Sequence, residues 1–202
     1  MALPSYHHTS YPSAWLAGAA GFLYSVSFVL IAKASPGLGN GLSGFFLLIG
    51  GIFGASALLG LYMKLEPAAG GYALWAVIFG VAGAIVAALH GGYDLANAIH
   101  PPGQNNPFPS AIDPRGLGTF GFAGISLLAF AYVMGRDVSF PVRLSYLGYV
   151  SGALLVLIYM ARLVILNASS PLVLIPAGLE GFIVNPAWYI WLGFALRREV
   201  AR

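Results

Sequence analysis

The chain has 202 residues, 59% of them hydrophobic and only 7% charged, with a mean hydropathy of +0.84. A soluble domain carries about 25% charged residues, so this composition excludes a fully hydrated surface and predicts an integral membrane protein. The net charge of +3 reads as cationic loops at a membrane face rather than as a nucleic-acid surface, and the lack of Cys excludes disulfides and thiolate-held zinc or iron–sulfur centres.

Residues 1–13 are polar and aromatic, with no Lys or Arg, and the apolar run after them is longer than a signal-peptide core. A retained first helix is therefore expected. His7 and His8 form a short His tract, but two adjacent imidazoles are too few to predict a metal site, and no cofactor is expected anywhere in the chain.

Six apolar runs follow, each long enough for a crossing of about 20 residues. They predict an all-α fold, a polytopic bundle of six transmembrane helices at about 14–33, 40–63, 71–97, 117–135, 144–166 and 171–196. Residues 1–202 are expected to form a single integral membrane domain. Turn chemistry marks the breaks at Ser35-Pro36-Gly37, at Glu66-Pro67, at Arg136-Asp137 with Pro141, and from Asn167 to Pro171. The one long connection, 101–116, is Pro-rich, and a loop of that length is either a packed lid or disordered. Asn167-Ala168-Ser169 is a formal glycosylation triplet that carries weight only in a eukaryotic secretory route.

An even number of crossings puts both termini on one side, together with Lys64, Arg136, Arg143, Arg197, Arg198 and Arg202. Lys33, Arg115 and Arg162 fall on the other, so the positive-inside bias predicts cytoplasmic termini and an extracytoplasmic 101–116 loop. The small-residue pairs Gly50/Gly54, Gly80/Ala84 and Gly148/Gly152 predict close helix packing within one chain. Trp188, Tyr189 and Trp191 read as an interfacial belt, and Pro176 and Pro186 as kinks in the last helix.

Against this apolar background the ionisable groups stand out. His90, Asp94 and Asn97, at i, i+4 and i+7, share one helix face. Arg162, with Tyr159 one turn before it, lies near the outer end of the fifth run, and Glu180 lies about 13 Å into the sixth. Charges inside a bilayer mark functional sites unless they are paired or hydrated. Glu180, Arg162, Asp94, His90, Asn97 and Tyr159 are therefore the expected ligand-binding or proton-handling residues, in the outer half of the bundle. Other chemistries are excluded by missing residues. Neither lysine inside an apolar run lies where retinal needs one, only one His is deep enough to hold haem, and no HExxH, Walker A, GxSxG or potassium-filter pattern occurs.

From about residue 90 to 198 the chain resembles a broad group of small uncharacterised bacterial multi-pass membrane proteins, a domain of unknown function. The likeness rests on the cationic, Gly-rich stretch Arg143 to Gly152, on Leu174-Ile175-Pro176-Ala177-Gly178-Leu179-Glu180, and on Trp188 or Trp191 near the end. It implies a bacterial inner-membrane protein in which Glu180 matters, and it implies no activity.

Three functional readings follow. The first is a bundle with an outward-facing polar site for a small polar ligand or a proton. The second is an accessory subunit of a membrane complex, whose buried charges only lock helices together. The third is an intramembrane enzyme, which lacks any nucleophile or metal constellation. The expected partners are the lipid bilayer, a small polar ligand or other membrane subunits, and no nucleic acid.

Overall fold

The computed structural model describes residues 6–101, 113–165 and 170–200, and among them every regular element is helical. Helix α1 (His7–Val26) continues through a π-helical stretch, Ser27–Ile31, and a final turn to Ala34. It starts seven residues earlier than the apolar pattern predicted. The polar start is helical because its hydroxyls find partners. Thr9 and Ser13 bond back to carbonyls of the preceding turn, while Tyr6 and Ser13 each lie 2.9 Å from the Ser56 hydroxyl of the next helix.

Helix α2 (Pro36–Ile99) is a single helical run of 64 residues, broken at Gly70, where φ is 40° and ψ is −109°. Gly70 is the only described residue with positive φ, a backbone state that a side chain would strain. The break does not fall at Pro67, as the sequence suggested, because proline holds φ at a helical value and so stays within the helix. The two arms of α2 lie against each other. Gly44 meets Gly91, Asp94 and Leu95, Gly51 meets Ala84 and Ala88, and Gly80 meets Leu58, an antiparallel register that closes at the hinge.

A second π-helical stretch, Leu117–Phe122, leads into α3 (Ala123–Met134). Then come α4 (Val142–Val164) and α5 (Pro171–Leu179), and a third π stretch, Glu180–Val184, leads into α6 (Asn185–Val200). Five helical stretches are long and apolar enough to cross a membrane, where the sequence reading counted six: His8–Ala34, Pro36–Ile99, Leu117–Met134, Val142–Val164 and Pro171–Arg198. The difference lies in α2, where the runs at 40–63 and 71–97 join into one helical stretch across Gly70.

In four of the five stretches only 28% to 33% of the most apolar window is buried, so most of that surface faces outward. Leu30, Ile52, Ile78, Leu89 and Leu172 are among the exposed large hydrophobics, a distribution compatible with a multi-pass protein surrounded by lipid. The interior holds Leu61, Leu65, Phe130, Met134, Leu144 and Leu196, all fully or almost fully buried near the ends that carry Lys64, Arg136, Arg143 and Arg197. Trp188 belongs to this core rather than to an interfacial belt. It is fully buried, and Gly148 leaves room for its indole. The paired small residues pack within the chain, as expected; α3 and α4 cross where Gly124 and Gly152 bring the two backbones together.

Candidate functional site

At the bundle end opposite the basic residues, α2 closes with a turn and a half of polar side chains. His90 and Asp94 are one turn apart, and His90 Nε2 lies 3.4 Å from Asp94 Oδ2. The segment that enters α3 completes the site from the other side. Its turn Asp113-Pro114-Arg115 folds the arginine back on the aspartate. The Arg115 backbone N–H and Nε each donate to Asp113 Oδ1 at 2.9 Å, and Nη2 donates to Oδ2 at 2.6 Å. That fork geometry is the strong form of a carboxylate–guanidinium pair.

Arg115 also reaches α2. Its Nη1 donates to Asp94 Oδ1 at 3.2 Å and to the His90 carbonyl at 3.3 Å, and the guanidinium lies over the Tyr93 ring at 4.7 Å. Asp113 Oδ2 lies 3.5 Å from His90 Nε2, so the imidazole faces two carboxylates at once. One turn into the π stretch, the Thr119 hydroxyl sits 3.2 Å from His90 Nδ1. The His90 side chain is 14% exposed and Arg115 19%, against 37% for Asp94 and 35% for Asp113. The two bases are thus inside and the two acids line the opening.

The electrostatics of the turn follow from these contacts. Burial pushes the Asp113 carboxyl up, but hydrogen bonds from Arg115 and its charge outweigh burial and hold the group below the usual carboxylate range. Burial also opposes the charge on Arg115, and there Asp113 and Asp94 outweigh it and raise the guanidinium above its ordinary value. Asp113 therefore stays ionised and Arg115 protonated at any physiological pH.

The imidazole is the group left to change state. Nε2 faces carboxylate oxygens, so it carries a hydrogen, and in the neutral ring Nδ1 accepts a hydrogen bond from Thr119. A second proton enters at Nδ1 once the Thr119 hydroxyl turns from donor to acceptor, with no other contact disturbed. Two carboxylates against one guanidinium leave the cluster at −1 with a neutral ring and at zero with a protonated one. Among the described residues no group of three or more His, Cys, Asp or Glu is arranged to hold a metal.

The structure brings together only part of the expected set. His90 and Asp94 meet. Asn97 is half-buried one turn beyond Asp94, and Tyr159 packs its ring against Gly121, two residues beyond Thr119. Arg162 turns to the end of its own helix, donating from Nη1 to the Ile165 carbonyl at 3.0 Å. Glu180 joins neither Arg162 nor Asp94: Ser151 donates to its Oε1 at 2.5 Å, and Asn185 lies beside the carboxyl. Ser151 is eleven residues before Arg162 on α4, about 16 Å along the axis, so the two sets of polar groups are separate.

Asp113, Arg115 and Thr119 are site residues that the sequence reading did not select. An Asp-Pro-Arg triplet at the foot of a helix is a recognisable signal, because the proline turn presents the acid to the base two residues on. Most of the expected lid, 102–112, and the triplet at 167–169 lie outside the described residues. No protein-family model matches the chain, and no curated protein or solved structure is similar to it.

Proposed function

We propose that this is a six-crossing inner-membrane protein with cytoplasmic termini, whose extracytoplasmic polar cluster binds and releases a proton. Six crossings follow if each arm of α2 traverses the bilayer. The antiparallel register of the arms and their length of about 30 residues each support this reading. So does the gathering of Lys64, Arg136, Arg143, Arg197 and Arg198 at one end, where Lys64 lies 4.8 Å over the Phe140 ring of the α3–α4 connection.

The observation that carries the function is His90, held between the carboxylates of Asp94 and Asp113 with Thr119 on its other nitrogen. The net charge of −1 favours a proton or a small cationic ligand over an anion, since Arg115 is already committed to two carboxylates. The competing reading, a structural lock within a membrane complex, is favoured by that same closed network around Arg115.

Titration of protein carrying nitrogen-labelled histidine, in detergent, separates the two. An imidazole resonance that is lost in His90→Gln, that gains its second proton reversibly as the pH is lowered on the folded protein, and that moves in Asp94→Asn supports proton handling. A His90 ring whose protonation does not change while the protein stays folded sinks it and leaves the lock.

A further inference from the structure

The cluster leaves one buried titratable group unused. Glu180 is 4% exposed and lies nine residues into the Pro171–Arg198 span, about 13 Å from its start. It opens the π stretch Glu180–Val184, which ends two residues before Pro186, a residue that has no N–H and crowds the carbonyl four residues back. The widened turn accommodates that proline, and π segments of this kind are frequent at functional positions.

Every described neighbour of the carboxyl is neutral. From α4, Ser151 donates to Oε1 at 2.5 Å. From α1, the Ser25 hydroxyl packs on Gly181, next in sequence. On its own chain segment it faces the Asn185 side chain, and Tyr189, whose hydroxyl sits against Gly54 of α2, lies within its electrostatic reach. Among the described residues no charged group acts on it, and Oε2 has no hydrogen-bond partner. A bare carboxylate in such a place is strongly disfavoured without a compensating positive charge. Since Ser151 already donates to Oε1, the charge is cancelled at Oε2.

We propose that Glu180 is a second proton-binding site at mid-depth in the bundle, independent of the His90 cluster. Its carboxylate takes a proton from water to become the acid, with the proton on Oε2, and returns it on release. Ser151 donates to Oε1 in both states.

Infrared difference spectroscopy of the full chain in lipid vesicles tests this directly. Expected is a protonated-carboxyl C=O band at neutral pH that is absent in Glu180→Gln and disappears as the pH is raised. Asp94→Asn, which alters the His90 cluster, should leave the band in place, so the two sites fail or stand separately. Three results overturn the proposal: no carboxyl band lost in Glu180→Gln at any pH, a band that never titrates, or a band removed by sodium ions at constant pH, which would assign a metal cation instead. Should Glu180→Gln not fold, the wild-type protein still decides. A hydrophobic carbodiimide, which reacts with protonated carboxyls, should modify the Glu180 peptide faster as pH falls. No adduct at any pH overturns the assignment.

Discussion

Asp113 and Glu180 are acids in the same bundle with opposite surroundings. Asp113 is about a third exposed at the bundle end and is gripped by Arg115 through three short hydrogen bonds, two from the guanidinium and one from the backbone N–H. Glu180 is almost fully buried and touches only neutral groups. The more hydrated acid has the cation, and the drier one does without. Stabilising the charged form through Arg115 keeps Asp113 ionised at neutral pH, which builds a negative wall beside His90. Leaving Glu180 without a cation makes it a group whose charge can be switched.

Arg115→Met should have the largest effect. It leaves Asp94 and Asp113 facing each other with no cation. Removing one partner of a fully buried pair costs 3–5 kcal/mol; with these side chains 19% to 37% exposed, solvent screening reduces that to about 2 kcal/mol. A clear drop in melting temperature in detergent is expected, and an unchanged one would mean that the cluster contributes nothing to stability.

Acid should act on the same pair more gently. Asp113 is held below the usual carboxylate range in the fold, so its contribution is fully present above the unfolded-chain value and is lost as pH falls through the folded one. Stability should therefore decline only below about pH 4, and Asp113→Asn should remove roughly 1 kcal/mol at neutral pH, after allowance for screening, while flattening that decline. A decline that begins near neutrality and survives Asp113→Asn would point to another group.

What the sequence conveyed follows from how local each feature is. The helical class and the apolar runs are written in composition, and His90 and Asp94 were legible because they are one helical turn apart on a single segment. Arg115 was not, since its partner Asp94 is 21 residues away and only the Pro114 turn brings them together. Glu180 stands out in the sequence, but grouping it with Arg162 and Asp94 does not hold: the register of α4 presents Ser151 to it. The junction at Gly70 was missed because Pro67 is the stronger breaker in isolation, and only the packed arms reveal that the reversal needs a residue free to take positive φ.

At Glu180 the expected effects are smaller, and that contrast with Arg115 is itself informative. Glu180→Gln keeps shape and volume and removes only the ability to ionise. If the resting group is an acid, the variant should melt within about 1 kcal/mol of wild type, and Ser151→Ala should cost about the same through one lost hydrogen bond. A Glu180→Gln loss as large as that of Arg115→Met would mean that the carboxylate is charged and paired after all.

The smallest effect is the most demanding test. If the end cluster and the mid-bundle acid are separate, a double-mutant cycle between Arg115→Met and Glu180→Gln should be additive to within about 0.5 kcal/mol. Coupling clearly above that would mean that the two sites sense each other. The route available is α1, where Tyr24 lies in the field of Asp94 and its neighbour Ser25 packs beside Glu180. Tyr24→Phe removes that hydroxyl and leaves the packing. If it abolished the coupling, the two centres would be stations on one proton path rather than independent sites.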